Sequence, residues 1–173
     1  MKSNWEEILK DRLQLYGHRN WFVIADSAYP AQSRPGIETI VADEEQTTIL
    51  DRALAILHAS KHIQPTIYTD EELSLVSEED APGVTSYREK LRCLVEGYSV
   101  RSCPHEEIIL KLDRAGERFR VLVVKTKMRI PYTSMFLELK CGYWNTQAEK
   151  RLRAAMRSKD RYASVPKRRG RLT

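Results

Sequence analysis

Five consecutive apolar residues, Trp21 to Ala25, follow shortly after Gly17 and end at Asp26. Such a run is too short for a helix after a stop signal and has no polar alternation, so it reads as a buried strand. The sequence around it supplies the helices that would cover it. Trp5, Ile8, Leu9, Leu13 and Tyr16 recur at helical spacing behind a capping box of Ser3 and Glu6, and Gly17 is placed to end that helix. Ile49, Leu50, Ala53, Leu54 and Leu57 form a second stripe, opened by Asp43 and Gln46. Tyr87, Leu91, Leu94, Val95 and Tyr98 form a third behind Ser86 and Glu89.

Further short strands are expected at Ile37 to Ala42, Thr66 to Thr69, from Val100, at Phe119 to Lys125 and at Met135 to Lys140. Residues His105 to Glu117 are ambiguous, because Ile108 to Leu112 fits a helix or one arm of a hairpin turning at Ala115-Gly116. Helices alternating with buried strands make a layered α/β domain. The acidic stretch Asp70 to Asp80 reads as a solvated loop or helix face.

The 173 residues suit one domain with one core, and an apolar fraction of 42% excludes wholesale disorder. No apolar run approaches the roughly 18–20 residues needed to cross a bilayer. Glu6, Glu7 and Asp11 interrupt the N-terminal apolar residues, so that segment does not read as a secretory signal. Cys93, Cys103 and Cys141 are odd in number and unpaired in spacing, which suits a reducing cytoplasm.

The net charge of +5 is unevenly shared. From Thr146 onward three Lys and seven Arg stand against Glu149 and Asp160, giving +8, so residues 1–145 carry −3. The tail reads as a basic extension to the 1–145 domain, helical over Thr146 to Ser158 and disordered over Pro166 to Thr173. Its charge and composition read as a module independent of the domain; the alternative is that Leu152, Ala155 and Met156 form an apolar stripe that packs on a neighbouring subunit. An acidic body is not a nucleic-acid-binding surface, which leaves RNA or a membrane surface as partners for the tail alone.

Ligands of open α/β sheets lie beyond the carboxyl ends of the strands, and Asp26 stands at such an end. His18 lies before the same strand. Five residues of strand span ~17 Å, so the two share a site only through folded-back loops or a second subunit. His58 and His62 lie one helical turn apart, but no acidic or cysteine partner accompanies them, and a solvated helix end is the simpler reading.

Gly17-His18, Asp26 eight residues after the histidine, and Tyr29-Pro30-Ala31-Gln32-Ser33 together resemble the opening signature of the ribose pyranase and fucose mutarotase family (RbsD/FucU), closer to the fucose branch. A second block, Val121 to Val124, Thr126, Tyr132, Phe136 to Lys140 and Gly142, resembles that family's closing segment. The similarity spans about residues 5–145. It implies a three-layer α/β/α domain with a mostly parallel central sheet, assembling as a ring, commonly a decamer, with sites between subunits. It also implies an isomerase that interconverts cyclic forms of a free monosaccharide such as L-fucose or D-ribose, without a cofactor or metal.

By the same resemblance His18 is the proton donor, Asp26 and Tyr132 are catalytic, and Asp26, His105, Tyr132 and Ser134 hold the sugar. Histidine suits proton exchange between the anomeric hydroxyl and the ring oxygen, since its unperturbed pKa of ~6.5 lies near neutrality. Two positions depart from the family pattern. Lys127-Met128 stand where the family has Gly-Glu, and Ser134 stands where it has Asn. Serine keeps one donor and loses the amide's two-pronged geometry. A sugar-binding protein without turnover is the rival reading within the same fold.

Overall fold

The computed structural model describes residues 4–163. In chain order its elements are α1 (Trp5–Leu15), β1 (Trp21–Ala25), β2 (Ile37–Val41), α2 (Gln46–Ala59), β3 (Ile63–Asp70), a 3-10 turn (Glu71–Ser74), α3 (Val84–Leu94), β4 (Ser99–Cys103), α4 (His105–Arg118), β5 (Val121–Lys125), β6 (Met135–Cys141) and α5 (Thr146–Ala163). The strands form one sheet in the order β2-β5-β1-β6-β3-β4. Pairs β2–β5, β5–β1 and β3–β4 are parallel, whereas β6 runs antiparallel to both its neighbours. The mostly parallel sheet that the family resemblance implies is therefore present.

The period of two in β1 divides the core. Phe22 and Ile24 face a layer containing Trp5, Leu9, Ile49, Leu57, Val84 and Tyr87 from α1, α2 and α3. Trp21, Val23 and Ala25 face Ile108, Leu112 and Ala115 of α4. All five residues of β1 are buried, because helices cover both sides of this central strand. The three layers follow from that one requirement.

Only nine residues separate β5 from β6. That is too few for a helical crossover, so the chain turns at the carboxyl ends of the parallel strands and comes back antiparallel. The turn places Thr133 and Ser134 beside the end of β1. Strand β3 is longer than the expected Thr66–Thr69, and it contains Pro65. Proline is tolerated there because β4 pairs with β3 only from Thr66 onward, leaving an open side for a residue that lacks an N–H.

The ambiguous stretch from His105 to Glu117 is helical, and other local expectations are corrected. Gly116 lies inside α4 and not in a hairpin turn; a Cβ there would come within 2.8 Å of Ile37 Cγ1, so glycine lets the helix approach β2. Helix α3 starts at Val84, before the expected Ser86 cap. Its first turn is held by Glu78, whose carboxylate accepts the Gly83 and Thr85 N–H groups and is thereby held below the usual carboxylate range. Asp43 pairs with Lys127 rather than capping α2. His62 lies beyond the end of α2, with Nε2 3.0 Å from the Leu13 carbonyl and 3.1 Å from that of Tyr16, so it is not aligned with His58 on a helix face.

Helix α5 covers the expected Thr146 to Ser158, while Pro166 to Thr173 lies outside the described residues. No described helix is long and apolar enough to cross a membrane.

Candidate functional site

Asp26 is the first residue beyond β1, and Ser134 is the last before β6. The Ser134 hydroxyl donates to Asp26 Oδ2 at 2.8 Å and accepts the Asp26 backbone N–H at 3.1 Å. Asp26 Oδ1 accepts the Ala28 N–H at 2.8 Å. A carboxylate held through both oxygens has a fixed direction, so the serine's single proton is committed to positioning Asp26.

Two supports hold this corner. Thr126 donates its hydroxyl to the Ala25 carbonyl at 2.9 Å and accepts the Met128 N–H, fastening the end of β5 to the end of β1. Behind Ser134, the Gln46 amide donates to the carbonyls of Ile24 (3.2 Å) and Thr133 (2.9 Å). The Tyr87 hydroxyl lies 2.8 Å from Gln46 Oε1 and 3.0 Å from the Thr133 carbonyl. Gln46, Thr133 and Tyr87 are buried, so their polar groups have no water to fall back on. Tyr87→Phe strands Gln46 Oε1 and is expected to cost about 1–3 kcal/mol of stability in urea unfolding.

Across the sheet, Asp70 ends β3 and His105 opens α4. Asp70 is only 2% exposed, and its Oδ1 lies 3.1 Å from His105 Nδ1. The approach is close enough for an ion pair but is not aligned as a hydrogen bond. Neither Asp70 oxygen nor His105 Nδ1 has an aligned partner among the described residues. Glu72 accepts the His105 backbone N–H at 3.1 Å on each oxygen, fixing the start of α4. Burial pushes the Asp70 carboxyl up to about 6; the nearby His105 opposes this, and Glu72 and Asp26 add to it.

Tyr132 meets the His105 ring edge-on with centroids 5.7 Å apart. It sits in the left-handed region at φ 59° and is 40% exposed, so its ring stands at the mouth of the site. Tyr29 lies beneath, donating to Gln32 Oε1 at 2.9 Å and packing on Phe136. Burial pushes the Tyr29 and Tyr87 hydroxyls upward, and the carboxylates of Asp70 and Asp26 push them further, so both remain O–H groups.

The fold thus gathers Asp26, His105, Tyr132 and Ser134 at one end of the sheet. His18 is not among them. It is exposed at the opposite end, where the Arg19 N–H bonds the Leu139 carbonyl and the full length of β1 intervenes. The sequence does not single out Asp70, because it reads as the first residue of the acidic stretch that follows it. The available signal was its position: like Asp26, it is a carboxylate at the carboxyl end of an apolar strand.

The site can take a proton and return one. Asp70 holds a proton up to about pH 6 beside an imidazole, while Asp26 offers an oriented acceptor and Tyr132 an O–H and an aromatic face.

No protein-family model matches the chain, and no curated protein matches it by sequence. Solved structures do. RbsD from Bacillus subtilis, solved in complex with D-ribose, is 20% identical with a TM-score of 0.52, covering 81% of this chain and 93% of that one. The fucose mutarotase from Streptococcus pneumoniae, solved in complex with L-fucose, is 20% identical with a TM-score of 0.51, covering 75% and 89%. The chain has the fold of these proteins. Equal identity to both gives no preference for the fucose branch.

Proposed function

We propose that this chain is a sugar mutarotase that opens and recloses the ring of a free aldose at the carboxyl ends of β1, β3 and β4. The observation that carries the reading is the convergence there of Asp26, Asp70, His105 and Tyr132, in a fold whose solved examples hold D-ribose and L-fucose.

The reaction needs one group to remove the anomeric hydroxyl proton while another protonates the ring oxygen. The C1–O bond to the ring oxygen then breaks, leaving an open aldehyde, and the reverse steps on the other face give the second anomer. Asp26 accepts from sugar hydroxyls, Tyr132 donates to a sugar oxygen and stacks on C–H groups, and His105 supplies its imidazole from the opposite wall. His18 acts as proton donor from a neighbouring copy, since its own chain holds it at the wrong end of the sheet. Anomers, and pyranose and furanose forms, interconvert through the same open chain.

A specific observation favours the second reading, a sugar-binding protein without turnover. The Ser134 proton is already committed to Asp26 and is not free for sugar, where the resembling family has an amide.

Saturation-transfer NMR with L-fucose, D-ribose and D-galactose tests the shared premise. At least one sugar is expected to bind, with Asp26→Asn weakening it by about tenfold or more as a charge-assisted acceptor is lost. No saturable binding by any aldose would remove both readings.

A further inference from the structure

The two carboxylates at the strand ends of this site are held in opposite ways. Asp26 has a donor on each oxygen, the Ser134 hydroxyl and the Ala28 N–H. Neither oxygen of Asp70 has an aligned hydrogen-bond partner among the described residues, although both are enclosed by protein and the side chain is 0% exposed. A carboxylate kept for stability is buried with its hydrogen bonds made, because burying it bare costs free energy. Asp70 needs another reason to be there.

One side-chain donor lies within reach. His105 Nδ1 is 3.1 Å from Asp70 Oδ1 and is itself enclosed without an aligned partner. The rest of the imidazole is open: the side chain is 29% exposed, and its ring meets Tyr132 at the mouth of the site. Nδ1 is the inward nitrogen, so Nε2, across the ring, is the one left to a ligand. The backbone that carries the ring is fixed. Glu72 accepts the His105 N–H on both oxygens, and Pro104 precedes it at φ −53°. Catalytic hydrogen bonds are often poorly aligned before substrate binds and tighten around it.

We propose that Asp70 is a positioning residue for His105: it accepts the Nδ1 proton, fixes the imidazole as the Nδ1–H tautomer and leaves the Nε2 lone pair to the ligand as the base of this site. Asp70 touches no ligand, since both its oxygens are enclosed, and it acts only through the ring. Titratable groups facing the pair are Asp26, Tyr29, Glu72, Tyr87 and Tyr132, none of which carries positive charge. Asp70 is ionised, and free to accept from Nδ1–H, above about pH 6.

The chemical step rests on the reading under Proposed function, whereas the tautomer does not. Nε2 takes the proton of the anomeric hydroxyl while the ring oxygen receives one from the donor on the other side, and the bond from C1 to the ring oxygen breaks. The imidazolium so formed lies beside the Asp70 carboxylate, which offsets its charge. When the ring hydroxyl attacks the other face of the aldehyde, Nε2 returns its proton to the aldehyde oxygen. The attacking hydroxyl gives its own proton back to the donor, so none is gained or lost.

The test is NMR of full-length protein carrying nitrogen-labelled histidine at about pH 7.5, where the two ring nitrogens report which one bears the proton. His105 is identified as the signal lost in His105→Gln, and every variant is checked for fold by circular dichroism. Wild type is expected to hold Nδ1–H with Nε2 bare, and Asp70→Ala to revert to the Nε2–H form that histidine favours in water. A wild-type His105 with its proton on Nε2, or Nδ1–H persisting in folded Asp70→Ala, would overturn the proposal. This readout needs no turnover, so the expected tautomers in a protein that exchanges no sugar would support the positioning and remove only the mutarotase reading. Turnover gives the second arm. Asp70→Asn is expected to lower kcat for anomer exchange at least about tenfold with KM within about twofold. In the His105→Gln background the same substitution should change kcat by less than about twofold, since a residue acting through another has nothing left to act on. An equal loss in both backgrounds would show that Asp70 acts without His105, and it too would overturn the proposal.

Discussion

Two inactive variants are expected to restore activity when mixed. His18→Gln and Asp26→Asn should each slow catalysed anomer exchange by about 10²-fold or more, as loss of an acid–base group or of the oriented acceptor implies. Their faults lie at opposite ends of the sheet, 8 positions apart in sequence with β1 between them. If each site takes its Asp26 from one copy and its His18 from the next, random mixing leaves about a quarter of head-to-tail contacts with both groups intact. Co-refolded equimolar protein should then show about a quarter of wild-type turnover by exchange NMR. A mixture no faster than its components would place His18 outside the site.

Asp70→Asn should stabilise the protein while impairing it. The Asp70 carboxyl is raised to about 6 from an ordinary 3.8, so the folded state prefers the protonated acid. Its contribution to stability is fully present below pH 3.8 and is lost as pH rises through 6. At pH 7 wild type therefore carries an unfavourable buried charge that the amide does not. The groups facing it are Asp26 beyond β1, Tyr29 in the following loop, Glu72 in the 3-10 turn, Tyr87 of α3 and His105 of α4. Asp70→Asn is expected to be about 2 kcal/mol more stable than wild type at pH 7, with the gap closing toward pH 4. Sugar exchange should fall at least about tenfold, since functional sites retain groups that cost stability. Urea unfolding of both proteins across that range measures the gap. A variant that is less stable at pH 7 would show that Asp70 is held as a structural ion pair.

The sequence made the central layer legible because its signals were local. Trp21 to Ala25 has no polar interruption, and the stripes of α1, α2 and α3 have helical spacing, so the layers follow. Strand-end position identified Asp26, and the family resemblance brought His105, Tyr132 and Ser134, which the fold gathers beside it. What was not legible depends on contacts distant in sequence. Asp70 looks like the start of a solvated acidic run until β3 is seen to extend to it and α4 to close over it. Glu78 caps α3 from five and seven residues away, which no capping box encodes. Ser134 reads as a sugar contact until its partner across 108 positions is known to be Asp26. The exposed edge strand β4, with only Cys103 partly covered, has no apolar alternation to mark its length.

A mutarotase differs from a binding protein of the same fold in that this corner of the sheet turns a sugar over as well as holding it. Exchange NMR on L-fucose and D-ribose at equilibrium measures that directly, as the rate of passage between anomers. At least one sugar is expected to exchange faster than in buffer, in proportion to protein concentration, with the gain lost in Asp26→Asn. Saturable binding with only spontaneous exchange for every sugar would contradict it and leave a binding protein of the same fold.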